Sequence, residues 1–591
     1  MDPPRKGPKP RGLWAFRFYG SRPGFHTIYP MRRTLPLCLL LCVPGSRAAA
    51  GTAAGQLEAL AGGVPAAEAL PAPEAPYRDE LGPEYDDPVY AGDELARLAA
   101  GRAERKGSTG ELGFIERRIV RIMARAHAKG KLVPALERML SSRLMQRFIP
   151  APPAKKQDYI KKFPRMVAAQ LEGTGLVEGT EGFEAWEAMS RRHIALVTRS
   201  AFAPPAAGGP SLLAEPGFLA ELEALAGVPF RPGNEVSPLV DGPASFAERE
   251  RLISAARESV HLMVWGWYDD LTGGRTADLL IAGKRKGLDV KVMVDGNISN
   301  FIGMASLKAM EEAGIEVARF SDPARAYDGM HAKLLVVDGE YAVTGGMNVG
   351  DKYSHMDPAA HKWRDTDAVF SGPAAGEAAR VFAENWNEQA AVHGLSRLPE
   401  PKSLPAEKGQ ARAALVYQRA DREPAIYLSL LKAMYGASSR INIENAYFVT
   451  IPSLRTALTD ALARGVKVTI LSNSASSNNE PILTGIMMES LAEMAEAGAD
   501  VYVREGETLH SKFMTVDGEF ATVGSYNFHP KSIRHEREIT LHVADRDFAA
   551  SLEGVFLTDL GSARRITDAA ELGDYRSPLN FIARRYMFSQ L

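Results

Sequence analysis

Two histidine-lysine pairs dominate the chemistry that this chain could perform. His331, Lys333, Asp338, Gly345, Gly346 and Asn348 follow the spacing H-x-K-x(4)-D-x(6)-G-G-x-N, and His510, Lys512, Asp517, Gly524, Ser525 and Asn527 repeat it with Ser525 in place of the second glycine. At roughly one residue type in twenty for each fixed position, one match has a chance probability on the order of 10⁻⁸ per starting point. Two copies in 591 residues therefore mark a duplicated unit. Paired histidines beside lysines suit cleavage of a phosphodiester without metal. One imidazole attacks phosphorus, the other protonates the departing oxygen, and the ammonium groups hold the negative charge.

Each motif reads as a β-hairpin. Leu334 to Val337 and Phe513 to Val516 are strand-like and lead into Asp338-Gly339 and Asp517-Gly518, turn signals before the return strands Tyr341 to Thr344 and Phe520 to Val523. Side chains alternate along a strand, so His331 and Lys333 share a face, as do His510 and Lys512. Asp338 and Asp517 complete the two catalytic motifs but fall at the turns, where a carboxylate shapes the hairpin through bonds to backbone. Asn348 and Asn527 offer amide donors beside the lysines. A nucleophilic imidazole needs an acceptor on its other nitrogen. Asp365 stands downstream of the first motif and Glu538 downstream of the second, with Glu536 its rival. His355, Asp357 and His361 are close in sequence, but their polar stretch reads as a surface loop, and the chemistry requires neither metal nor other cofactor.

The elements around the motifs repeat in the same order. A strand at Val260 to Trp265, a helix at 276–286, a strand at Val290 to Val294 and a helix at 304–314 precede the first motif. Ile441 to Glu444, Leu454 to Ala463, Val466 to Leu471 and a helix at 483–497 precede the second. The expected fold class is α/β, with two tandem domains in a pseudo-twofold arrangement and both motifs at one central cleft. The domains are expected at 232–395 and 411–591, joined by a proline-rich connection at 396–410 and preceded by a basic helical region at 94–231. Trp267 and Tyr268, beside Asp269-Asp270, are candidates for the cleft rim, and Tyr447 for a substrate groove; Trp265 and Phe448 divide equally between groove and core.

The chain is long enough for several domains, and its formal net charge of −2 commits the whole neither to nucleic acid nor to anionic lipid. The charge is unevenly spread: from Arg102 to Arg165 there are 17 Lys and Arg against 5 Asp and Glu, hence +12. Within that region Phe114 to Arg125 has the spacing of a basic amphipathic helix, read as a solvated face packed on the catalytic part or as a membrane contact. The only cysteines, Cys38 and Cys42, lie in an apolar run that follows Met31-Arg32-Arg33 and precedes Ala48-Ala49-Ala50. That order reads as an export signal within residues 1–50, with Met31 an alternative start and 51–93 a flexible linker. It places the protein outside the inner membrane, periplasmic or secreted and peripheral to a membrane, or held by an uncleaved N-terminal anchor.

The doubled motif, its G-G/S-x-N tails and Trp363-Arg364-Asp365 resemble the phospholipase D superfamily. Glu444-Asn-Ala-Tyr-Phe448, Arg464-Gly-Val-Lys-Val468 and the polar loop Asn473 to Asn479 resemble more narrowly its cardiolipin synthase-like bacterial branch. The resemblance spans about residues 232–575 and implies an αβα sandwich in each half. It implies a covalent phosphohistidine, with His331 attacking and His510 protonating, and Asp365 and Glu538 each supporting the histidine of the other half. Asn348, Asn527 and Ser525 complete the supporting set. The implied substrate is a phospholipid: phosphatidylglycerol, with phosphatidylethanolamine as a second donor. Transfer to an alcohol gives cardiolipin and transfer to water gives phosphatidic acid; the catalytic residues do not distinguish the two. A metal-independent nuclease is the third reading, disfavoured by the acidic catalytic part.

Overall fold

The computed structural model describes residues 123–580, apart from 124, 144, 175–180, 300–301, 324, 326–327, 402 and 574–578. The leader, the linker and nearly all of the amphipathic stretch before Met123 lie outside the described residues.

Apolar runs buried on both faces build one 16-stranded sheet from both halves, beside a separate pair formed by the short strands Trp363–Arg364 and Thr508–Leu509. The first half supplies β1 (Arg231–Val240), β2 (Ser259–Val264), β3 (Asp289–Asp295), β4 (Glu316–Phe320), β5 (Gly329–Met330), β6 (Leu334–Val337), β7 (Tyr341–Gly345), β8 (Trp363–Arg364) and β9 (Thr366–Ser371). The second supplies β10 (Ala411–Gln418), β11 (Arg440–Asn445), β12 (Lys467–Asn473), β13 (Asp500–Arg504), β14 (Thr508–Leu509), β15 (Lys512–Val516), β16 (Phe520–Gly524), β17 (Glu536–Ala544) and β18 (Ala563–Ile566). The order is β18-β13-β12-β11-β15-β16-β17-β10-β1-β9-β7-β6-β2-β3-β4. Outward from the antiparallel β1/β10 seam, β9, β7, β6, β2, β3 and β4 match β17, β16, β15, β11, β12 and β13. This is the expected pseudo-twofold.

Alternation along β6 shows the layering. Leu334 and Val336 join a core that crosses the seam to Leu415, Phe513 and Leu541, while Leu335 and Val337 join the outer core with Leu262 and Val292. Each half is thus a sheet covered on both faces, and the halves share one core, so neither hairpin is held by its own half alone. Before β1, the described part of the helical region includes helices Leu132–Leu140, Lys156–Thr174, Glu181–Thr198 and Pro216–Ala226. Leu136, Phe163 and Phe218 enter the core of the second half. No helix among the described residues is long and apolar enough to cross a membrane. Residues 395–410 carry no helix or strand among those described.

The helix expected at 276 begins at Leu271, because Asp270 accepts from the Gly273 N–H at 2.9 Å and caps it despite the following glycines. Asp269 caps the next helix through the Ala305 and Ser306 N–H groups. The two hairpin turns hold Asp338 and Asp517 at φ 54° and 56°, each followed by a glycine at positive φ. Their carboxylates brace a neighbouring strand instead of their own hairpin. Asp338 accepts from the N–H groups of Arg257, Glu258 and Ser259, and Asp517 from those of Ser438, Ser439 and Arg440. Asp517→Ala is expected to cost about 2–4 kcal/mol, read as a lowered Tm, while turnover well below Tm persists. Burial by itself raises the Asp517 carboxyl, but these donors pull it below the usual range. Its stabilisation is therefore full above about pH 4 and lost as pH falls through the lowered value.

Candidate active site

His331 and His510 lie just ahead of their hairpin strands, in short lead-ins that cross to the other half. β5 pairs in parallel with the start of β17, and the His331 N–H donates to the Arg537 carbonyl at 2.9 Å. Symmetrically, β14 pairs with β8, and the His510 N–H donates to the Arg364 carbonyl at 2.7 Å. The next residue along each partner strand is the carboxylate. Glu538 receives His331 Nδ1 at 3.0 and 3.1 Å, and Asp365 receives His510 Nδ1 at 2.7 Å. The crosswise pairing is thus a product of two short parallel ladders.

Both carboxylates are fully buried and further held. Ser525 and Ser532 donate hydroxyls to Glu538, the latter at 2.6 Å. Gly346, the counterpart of Ser525, lies so close to Asp365 that a Cβ there would collide with the carboxylate. Glu536, the rival, is taken by Lys531 at 3.0 Å. The Arg364 guanidinium forks onto Asp559 at 2.9 and 2.6 Å, locking the β8 end of the site to the second half.

Lys333 and Lys512 are buried and fold back onto the carbonyls of His331 and His510. Burial lowers Lys333 to about 8 and Lys512 to about 7, the surrounding carboxylates offsetting part of the effect. Burial, with Lys512 and Lys333 nearby, also drives His510 well below its ordinary value. Burial pushes Asp365 up to about 8 against the pull of Lys512. A neutral imidazole that donates its Nδ1 proton to the Asp365 carboxylate keeps its Nε2 lone pair free. A phosphate analogue of fixed charge, tungstate, is expected to lose affinity as pH rises through about 7 to about 8, steepening toward tenfold per unit for each lysine, as read by calorimetry.

An aromatic wall surrounds His510. Trp363 lies 5.0 Å, Tyr353 5.4 Å and Tyr447 6.3 Å away between ring centroids, and the Tyr447 hydroxyl donates to Asn479 at 2.8 Å. Behind it the Lys352 ammonium sits 4.1 Å from the Trp363 centroid and 4.4 Å from that of Tyr268, and donates to the Tyr268 hydroxyl. The sequence reading missed Lys352 and Tyr353, although both directly follow the first G-G-x-N tail. Trp267 is not at the rim. It is 1% exposed in the outer core, bridged to Val349, while Trp265 packs 6.0 Å from His331. The strand ends at Val264, and Gly266 donates to Asn348 Oδ1, which redirects the chain. Phe448 is core. Asn348 does not reach toward the lysines either, since its amide donates to the Tyr353 hydroxyl at 3.0 Å. Asn527 Oδ1 is buried with no partner among the described residues.

His331, Glu536 and Glu538 present ligand atoms within 4.8 Å of one another, the one such grouping among the described residues. Those atoms already serve the imidazole contact and Lys531. His355 bonds the Trp363 carbonyl from a loop, where it was expected.

The sequence profile described as "Cardiolipin synthase, PLD-like domain" matches residues 250–383 and 430–560, one hairpin motif in each. The chain is 31% identical over 355 residues to cardiolipin synthase A of Pseudomonas entomophila (strain L48), covering 59% of this chain and 73% of that protein. It is 28% identical over 345 residues to the major cardiolipin synthase of Bacillus subtilis (strain 168), covering 57% and 71%. In fold it is similar to the phosphatidylserine synthase of Haemophilus influenzae Rd KW20, with TM-score 0.50 and 14% identity over 60% of this chain and 95% of that one. With both motifs inside the matched segments and their histidines facing one seam, the chain belongs to the phospholipase D superfamily, in its cardiolipin synthase family of phosphodiester transferases.

Proposed function

We propose that the protein is a phosphatidyltransferase that joins phosphatidylglycerol units into cardiolipin through a phosphohistidine. The observation that carries this reading is the seam itself: two imidazoles, each held at Nδ1 by a buried carboxylate of the other half, with a lysine beside each. The cardiolipin synthases it is similar to support the lipid substrate.

The charges favour the reverse of the order that the resemblance implies. His331 faces Glu538, with Glu536 in the same cluster, and is assigned the proton transfer to the departing alcohol. His510 has one carboxylate and is surrounded by Lys512, Lys333 and Lys352, a setting for the neutral imidazole that attacks phosphorus. His510 Nε2 forms the P–N bond as the ester P–O bond breaks, and the departing oxygen takes the proton of His331. His331 then deprotonates the incoming glycerol hydroxyl, which displaces His510. Lys333 and Lys512 swing from their carbonyls onto the phosphoryl oxygens and stabilise the charge there. The segment with export-signal order supports action outside the inner membrane.

The test is mass spectrometry of lipids after incubating the purified chain with phosphatidylglycerol vesicles, with and without phosphatidylethanolamine. Cardiolipin is expected. Phosphatidic acid alone would make the enzyme a hydrolase, and unchanged lipid would remove the lipid reading.

A further inference from the structure

The helical segment ahead of the first catalytic half lies outside the family match and carries charge that the fold does not consume. Between Met123 and Arg165 there are 11 Lys and Arg but only two carboxylates, Glu137 and Asp158. The apolar residues turn inward, with Leu132, Leu136, Tyr159, Phe163 and Val167 buried against the second half. Arg125, Lys129, Lys131, Arg143, Arg147 and Lys161 are exposed and make no ion pair with another described residue.

The geometry sets Arg138, Lys161 and Arg165 on adjoining exposed faces. Arg165 lies 3.9 Å from Glu137, which sets the exposed faces of helices Lys156–Thr174 and Leu132–Leu140 side by side. Lys161 is one turn before Arg165, and Arg138 adjoins Glu137. The same segment grips the loop at the site. Lys155 donates to the carbonyls of Ser476, at 2.8 Å, and Asn478, and Lys162 pairs with Glu480 at 3.4 Å. Between these anchors Asn479 holds the hydroxyl of Tyr447, whose ring lies against His510.

We propose that this basic face docks on an anionic bilayer and seats the catalytic seam against the surface that holds its substrate. The proposal rests on the lipid reading of the site. Docking is electrostatic, because the large apolar residues of the described helices turn mainly to the core. Each unpaired base near an anionic surface contributes roughly fivefold in affinity, and the attraction fades beyond about 8 Å at physiological salt. A bilayer meets the protein on this one face. A nucleic acid would have to cross the halves that carry the balancing negative charge, since the whole chain is at −2.

The full-length protein is sedimented with vesicles of phosphatidylcholine alone or with about one-third phosphatidylglycerol, at low and high salt. Expected are binding to the anionic vesicles at least about tenfold tighter than to neutral ones, and release by salt. The variant Arg138→Glu/Lys161→Glu/Arg165→Glu is expected to lose at least about tenfold, and the corresponding Gln variant less, with melting and turnover of detergent-dispersed lipid unchanged. Equal binding to both vesicles, or wild-type binding by a Glu variant that melts normally, overturns the proposal. Displacement from the vesicles by duplex DNA at equal salt also overturns it and assigns the face to nucleic acid. Binding is read without turnover, so salt-sensitive docking without lipid product supports this proposal while removing phosphatidyl transfer. Product from dispersed lipid without docking does the opposite.

Discussion

His510→Ala is expected to abolish both turnover and the phosphoenzyme, whereas His331→Ala still forms a phosphoenzyme from a substrate whose leaving group needs no proton. The two imidazoles are equivalent by motif but not by surroundings. Burial and the neighbouring lysines hold His510 below its ordinary value and so neutral, whereas Glu538 and Glu536 stand beside His331. Loss of the nucleophile removes the covalent step outright. Loss of the acid costs about 10²–10⁴ with an alkoxide leaving group and little with a nitrophenolate. Rapid quench with radiolabelled nitrophenyl phosphodiester and acid-labile counting on each variant reads the difference. Label retained by His510→Ala and absent from His331→Ala would restore the order implied by the resemblance.

The second large effect is expected from the carboxylates. Asp365→Asn preserves size but offers an amide that can present N–H to Nδ1, forcing the imidazole into the tautomer whose Nε2 is blocked; turnover should fall by about 10³–10⁴. Glu538→Gln acts on His331, and its loss in the phosphoenzyme-forming step should be smaller, about 10²–10³, because in that step the acid is needed only when the leaving oxygen is basic. The discriminating measurement is leaving-group dependence. For Asp365→Asn the loss is the same for alkyl and nitrophenyl esters, and for Glu538→Gln it shrinks with the better leaving group. Each carboxylate therefore carries the signature of the histidine in the other half, as the contacts of 2.7 Å and 3.0 Å require. A loss tracking the carboxylate's own motif would contradict this pairing.

The basic segment and the seam meet at the loop from Asn473 to Glu480. Asn473 accepts from the Leu509 N–H at 2.8 Å, directly before His510, and Asn478 and Glu480 hold the lysines of the helical segment. The polar stretch that marked the resemblance in sequence is thus the mechanical joint between the module and a catalytic histidine.

Much of this architecture was legible in the residue order because it is local. A strand buried on both faces reads as a run such as Leu334 to Val337, Asp-Gly specifies the hairpin turn, and duplication makes each element appear twice. The motif residues and their division into two halves follow from spacing alone. What spacing could not convey is which surfaces face each other. His331 and Glu538 are 207 residues apart and His510 and Asp365 145 apart, and each pair forms only because β5 and β14 cross to pair with the opposite half. The reading of Trp267 failed for the same reason. Apolar character is equal in core and groove, and only the bend at Gly266, set by Asn348, puts Trp267 inside and Trp265 at the imidazole. Sequence determined the chemical groups and the elements that carry them. Tertiary structure decided their partners and protonation, because both depend on burial and on charges brought together from distant parts of the chain.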